Sequence, residues 1–251
     1  QRFKLFMFNR DAWQASVHTS PDGIHWTPPK WTGPSGDRST MFYNPFRKVW
    51  VYSIRIHGNK GPWNYKTPPY NPIVRARRYW ECRDFLAGSQ WTGGRNLEEE
   101  WKDNEPVPWV AADRLDAPSN GPGDLPAELY NLDAVGYESL MLGLFSVLHA
   151  NTRLAGQPKI NDVKLGFSRD GFHWHRPLRE AVIPVSGDPD TWNYGNVPSV
   201  GGGCLVMGDR LYLYASGRNA TEDTTGVAFF RRDGSASMEA GPQRGTLTTR
   251  P

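Results

Sequence analysis

Cysteine is scarce: the chain of 251 residues holds two, Cys82 and Cys204. Neither stands at metal-ligand spacing from a second Cys or a His, which excludes a cysteine-built zinc site. Both lie in strand-like stretches, a context that favours buried free thiols over a disulfide. The six histidines show no His-x-x-x-His spacing, so the chain offers no metal or cofactor motif. Long apolar runs are missing too, and nothing approaches the roughly 20 residues that a membrane helix needs. Nor does one sign of charge dominate. With 29 basic and 26 acidic residues the net charge is +3, too even for a nucleic-acid footprint. The short basic cluster Arg75, Arg77 and Arg78 sits in a strand-like stretch, not in a tail. No P-loop, dinucleotide fingerprint or nucleophile elbow occurs. No signal peptide is visible, but the chain opens at Gln1-Arg-Phe-Lys-Leu-Phe-Met-Phe, already inside a strand-like pattern. That start reads as a cut or matured N-terminus, so the missing signal says little about compartment. Asn219-Ala-Thr221 is a formal glycosylation sequon, a pattern common by chance.

Glycine (26 residues), proline (21) and tryptophan (11) are plentiful. The first two imply many turns and few long helices. At this length one all-β domain with a large core is expected. Most of the indoles then serve as packing plugs, and the remainder as platforms for the apolar face of a sugar ring.

Three strings recur: Ser20-Pro-Asp22-Gly-Ile-His-Trp26, Cys82-Arg-Asp84-Phe-Leu with Trp91 behind it, and Ser168-Arg-Asp170-Gly-Phe-His-Trp174. A fainter fourth is Phe230-Arg-Arg-Asp233-Gly234, and the aspartates fall 62, 86 and 63 residues apart. Units of this length, each closed by a tight turn and an aromatic plug, predict four-stranded blades around an axis, a β-propeller. Lys48 to Arg55 and Val163 to Ser168 alternate as half-buried strands do. Ser139 to Leu148 is a continuous apolar run, as in a strand covered on both faces. Cys204 to Tyr214 reads as a hairpin about Gly208-Asp209. The units are placed at 1–31, 37–92, 131–177 and 190–238, a propeller domain over 1–238, with 239–251 as a linker or a strand leading out. The segments 56–72 and 93–130 read as long Pro/Gly-rich connections, of the kind that carry function or are disordered. Within the second, 97–101 reads as one helical turn or a charged loop.

The turn has its own register. Asp22 to Trp26 and Asp170 to Trp174 are four apart, with Gly directly after Asp. This resembles the blade ending Ser-x-Asp-Leu-x-x-Trp of the five-bladed propeller glycoside hydrolases of families 32 and 43, more than the sialidase-type Asp box, whose Trp lies five residues on. The likeness spans nearly the whole chain as a pattern and is greatest to family 32 N-terminal-like sequences. In those, an ending like Arg231-Arg-Asp-Gly with Gly245-Thr-Leu-Thr-Thr leads into a C-terminal β-sandwich, which here would lie outside the chain. The resemblance implies a five-bladed propeller. Its fifth blade is either completed by both termini or outside this chain. It also implies an oligosaccharide or polysaccharide substrate, a secreted or periplasmic setting, no nucleic acid or membrane partner, no cofactor, and room for a structural calcium ion on the axis.

Glycoside cleavage needs one carboxylic acid to protonate the leaving oxygen and a second carboxylate to activate water or attack carbon. In the resembled families these sit on the innermost strands of successive blades. Asp37, in Gly36-Asp37-Arg38-Ser39, resembles the second-blade carboxylate that stabilises the transition state, with the Arg-Asp order inverted. Glu138, before the apolar strand of the third unit, matches the acid by position, and burial there would raise its pKa as the task requires. Its rival Glu81, in Trp80-Glu81-Cys82-Arg-Asp84, resembles the string around the acid of the invertase family. The base of the first blade has no counterpart, since Asp22 belongs to the turn and the expected Asp would precede Gln1. Arg38, Glu81, Asp190 and Trp192 are the candidates for holding the sugar. Three functions follow: hydrolysis of a terminal glycosidic bond with Glu138 and Asp37, non-catalytic carbohydrate binding, and phosphorolysis on the same fold with Arg38 and Arg218 in a phosphate clamp.

Overall fold

The computed structural model describes residues 2–58, 74–93, 102–116, 126–150 and 159–235, together with 237, 241–246 and 248. The stretch 97–101 and most of the two long connections lie outside them.

The described chain is all-β apart from one helical turn, and its strands form four antiparallel sheets in chain order. Sheet I holds β1 (Phe3–Asn9), β2 (Gln14–Ser20) and β3 (Lys30–Trp31). Sheet II holds β4 (Thr40–Asn44), β5 (Val49–Gly58), β6 (Val74–Cys82) and β7 (Val107–Ala111). Sheet III holds β8 (Glu128–Tyr137), β9 (Leu140–Ala150), β10 (Ile160–Ser168) and β11 (Ala181–Ile183). Sheet IV holds β12 (Ser199–Met207), β13 (Arg210–Arg218) and β14 (Asp223–Arg231). The hairpin expected at Gly208-Asp209 joins β12 to β13, with Gly208 at φ +60°. The connection expected over 93–130 contains β7, which completes sheet II. Both cysteines are free and half-buried.

The four sheets follow one another as propeller blades do, without closing into a barrel. Their first strands, β4, β8 and β12, lie side by side. Thr40 donates to the Leu132 carbonyl at 3.0 Å, and Pro45 packs on Gly136, so β4 and β8 run the same way. Val200 donates to Asp133 at 2.9 Å and Gly203 meets Val135, so β12 runs with them. Apolar side chains fill the spaces between sheets. Val17, Tyr52, Ile54, Phe85 and Trp91 join sheets I and II. Phe42, Val51, Tyr79, Ala134 and Met141 join II and III. Leu142, Leu144, Leu165, Val200 and Leu213 join III and IV.

The repeated turns close β2 and β10 with the same hydrogen bonds. Ser20 Oγ donates to Asp22 Oδ1 at 3.0 Å and accepts from Gly23 N at 2.8 Å, and Asp22 Oδ1 also accepts from the Ile24 and His25 amides. Ser168, Asp170, Gly171, Phe172 and His173 repeat this. In both turns the histidine Nδ1 lies 2.7 Å from the second carboxylate oxygen, and both glycines have positive φ. The third string differs after β6, where Asp84 caps a helical turn, α1 (Phe85–Gly88), and accepts from Ala87 N at 2.7 Å. The indoles act as plugs over glycines: Trp91 on Gly33, Trp174 on Gly143, and Trp192 on Gly217 and Gly226, where a Cβ would collide with the ring.

Candidate functional site

The amino-terminal ends of β4 and β8, with the adjoining ends of β5, β6 and β10, bring together the densest set of buried charges at one rim. β5 and β6 carry arginines in register, Arg55 opposite Arg77 and His57 opposite Arg75. Arg55 pairs with Asp37 in the turn before β4, and Arg75 with Glu128, the first residue of β8. Arg77 is fully buried and reaches no carboxylate. Its guanidinium donates to the Arg38 carbonyl at 2.7 Å, to Asn131 Oδ1 at 2.8 Å, and to the carbonyls of Tyr130 and Ser53. Asn131 in turn donates to Asp133 at 2.8 Å. Lys159, just before β10, donates to the Tyr130 hydroxyl at 3.3 Å and sits 5.2 Å from that ring's centre. His149 and Asp162 pair at 2.8 Å on the neighbouring strand ends.

Burial tunes these groups. It pushes Asp133 up to about 6, against the pull of the Val200 amide and Arg77. It holds Glu128 above the ordinary carboxylate range even though Arg75 opposes it. Burial and neighbouring Arg55 bring Arg77 down to about 9. Burial alone would raise the Tyr130 phenol, yet Lys159, Arg38 and Arg55 together draw it below its usual value.

Of the sequence candidates, Asp37 and Arg38 lie at this rim, Arg38 in the left-handed region at φ +62°. Asp190 and Trp192 stand in the loop before β12, at the same end of sheet IV, where Pro189 accepts from Ala220 at 2.9 Å. Asp190 is exposed, and Trp192 is spent largely as a plug. Arg218 pairs with Asp223 at 3.1 Å on the surface.

Glu138 is not at a buried strand mouth, which corrects the expectation. Glu138 falls in the β8–β9 hairpin, at the end of β8 opposite to the rim. There it is 60% exposed, has φ +49° and pairs with Arg232 at 3.1 Å. Thr40 stands opposite Leu132, so Glu138 lies six residues further along β8 from that level. At about 3.3 Å per residue, that is roughly 20 Å beyond the rim, too far to share a glycosidic bond with Asp37. Glu81 also faces the far end, bound bidentately by Arg47 at 2.6 and 2.7 Å. It lines a cleft of about 540 Å³ with Tyr79, Trp80, Phe172 and His173.

Glu128, Asp133, Tyr130, Arg55, Arg75, Arg77 and Lys159 escaped the sequence reading. One signal was present: three arginines in a strand-like stretch require partners, and Glu128 begins a polar strand directly upstream of the apolar run. Among the described residues no group of three or more His, Cys, Asp or Glu side chains is placed to hold a metal ion.

No family model matches the chain, and no curated protein matches it in sequence. Solved structures do resemble it. An N-acetylgalactosamine deacetylase from F. plautii aligns with TM-score 0.53 and 10% identity, over 90% of this chain and 70% of that one. An α-L-arabinofuranosidase from Fusarium graminearum aligns with TM-score 0.42 and 10% identity, over 91% and 70%. A glycosyl hydrolase from Bacteroides ovatus aligns with TM-score 0.37 and 13% identity, over 88% and 75%. At these identities the likeness is one of fold alone: the chain shares an all-β fold with the F. plautii deacetylase.

Proposed function

We propose that the chain is a carbohydrate-active domain that hydrolyses a terminal glycosidic bond at the rim formed by β4 and β8. The observation that carries this is the placement of Asp37 and Glu128 at the same end of adjacent innermost strands, with Arg55 ion-paired to Asp37 and within electrostatic reach of Glu128. Glu128, in place of Glu138, is the proton donor, because burial keeps its proton on to higher pH than an exposed carboxylate would. Asp37 is the second carboxylate, and Arg38 and Asp190 orient the sugar. The resemblance to five-bladed hydrolases of families 32 and 43 supports the assignment of both acids to innermost strands. Glu128→Gln, assayed on a panel of aryl glycosides, is expected to lose activity while the fold persists by circular dichroism; full activity in a folded variant rejects the role.

A second reading is non-catalytic carbohydrate binding. It is favoured by the fact that both carboxylates are already engaged by arginines. Calorimetric binding of an oligosaccharide with no product after long incubation would select it.

A further inference from the structure

The charges at the rim do not cancel. Each carboxylate there has a partner: Asp37 has Arg55, Glu128 has Arg75, Asp162 has His149, and Asp133 accepts from Asn131 and the Val200 amide. Three cations form no direct ion pair among the described residues, although Asp133 acts on Arg77 electrostatically. Arg77 donates only to neutral oxygens, Lys159 only to a phenol, and the Arg38 side chain forms no ion pair. Two of them contact Tyr130, and one of those, Arg77, also holds the Arg38 backbone. Lys159 touches the Tyr130 hydroxyl, Arg77 binds its carbonyl, and Arg38 and Lys159 both act on its phenol electrostatically. Arg38 and Lys159 are half-buried rather than covered, and so are open to a ligand. The Arg38 backbone is held in the left-handed region, a strained conformation for a non-glycine residue. Its carbonyl is fastened by the buried Arg77.

A buried, unneutralised positive charge is unfavourable in the empty protein and becomes favourable once an anion arrives. Arginine offers a planar fork of donors and lysine a point charge, a combination suited to oxygens of a carboxylate, sulfate or phosphate. A neutral hydroxyl would gain little from so much uncompensated charge.

We propose that Arg38, Lys159 and the Tyr130 hydroxyl, backed by Arg77, form an oxyanion-binding subsite beside the Asp37–Glu128 pair. The ligand is therefore acidic: either a sugar bearing a carboxylate, or inorganic phosphate taken up beside a neutral sugar. The position of the subsite is independent of the hydrolytic reading, but its use on a sugar rests on that reading.

Calorimetry separates the sources. The probes are glucuronic and galacturonic acid, each beside its neutral parent sugar, and inorganic phosphate alone, at low and high salt. An acidic sugar is expected to bind about tenfold or more tightly than its parent, with the preference falling as salt rises. Arg38→Gln and Lys159→Gln should each shrink the preference toward parity, and Arg38→Lys should restore part of it. Phosphate binding that the same two substitutions abolish identifies phosphate as the ligand instead. If phosphate binds and no sugar does, the subsite stands and the carbohydrate reading fails. Equal binding of acidic and neutral sugars without phosphate binding overturns the proposal, as does a preference that survives both substitutions in folded protein.

Discussion

Two clusters of arginine and carboxylate lie in this molecule, and their partnerships differ. One fastens the segment after β7 to sheet III. There Arg176 binds Asp113 and Asp116 at 2.9 and 2.8 Å, Arg179 binds the same two, and Lys164 lies 3.7 Å from Asp116. Every cation reaches a carboxylate, and although burial works against them, hydrogen bonds and arginine charge hold both aspartates below their ordinary range. At the β4–β8 rim the opposite holds. Three cations reach no carboxylate, and burial lifts Glu128 and Asp133 above their ordinary range. Saturated charge is the mark of a clasp. Unsaturated charge with raised carboxylates is costly to the resting fold and useful to a ligand or a proton transfer.

The sharpest test sets one carboxylate from each cluster side by side. Glu128→Gln should lower turnover by about 10²-fold or more while leaving the fold intact. Asp116→Asn should leave turnover of the folded fraction unchanged but lower the unfolding midpoint in urea. A reversal of these two outcomes would break the distinction. Next in size, Arg176→Ala removes the hub of the clasp and leaves buried Asp116 with only the longer contacts to Arg179 and Lys164, and should cost about 3 kcal/mol in denaturant unfolding.

Asp133 gives a pH signature of the rim. Its folded pKa of about 6 lies above its unfolded value, so the native state holds the proton more tightly. Its contribution to stability is therefore fully present below about pH 4 and lost as pH rises through 6, by roughly 2–3 kcal/mol. Asp133→Asn should remove that decline, so the gap between variant and wild-type melting temperatures should widen in the variant's favour from pH 4 to pH 7. A constant gap would mean that Asp133 is not raised. Smallest of all, Glu138→Gln should change neither melting temperature nor turnover, because an exposed ion pair with Arg232 is screened by water. A large loss of turnover would return Glu138 to the chemistry.

The turns were legible in the sequence because they are local. Ser20 to His25 and Ser168 to His173 contain all the partners that shape them, whereas the last strand of sheet II, β7, and of sheet III, β11, fell outside the units read from the spacing. Asp37 and Arg38 were singled out by their resemblance to a family string, and both stand at the β4–β8 rim. Glu128 was not, since the partner that makes its burial tolerable is Arg75, 53 residues away on another sheet. Glu138, chosen for its place before the apolar β9, stands at the end of β8 away from Glu128, so the supposed acid falls at the far end of the sheet.

The repeated turn also bears on how such a chain can be assembled. All of its shaping hydrogen bonds close within six residues, so it asks nothing of the strands it joins beyond a place to stand. A segment of that kind is portable. When a stretch of gene encoding one sheet is duplicated, the copy brings a finished corner with it, and the strands are free to drift. The likeness between the corners at β2 and β10 is thus a property of the six residues themselves, independent of how far the strands beside them differ.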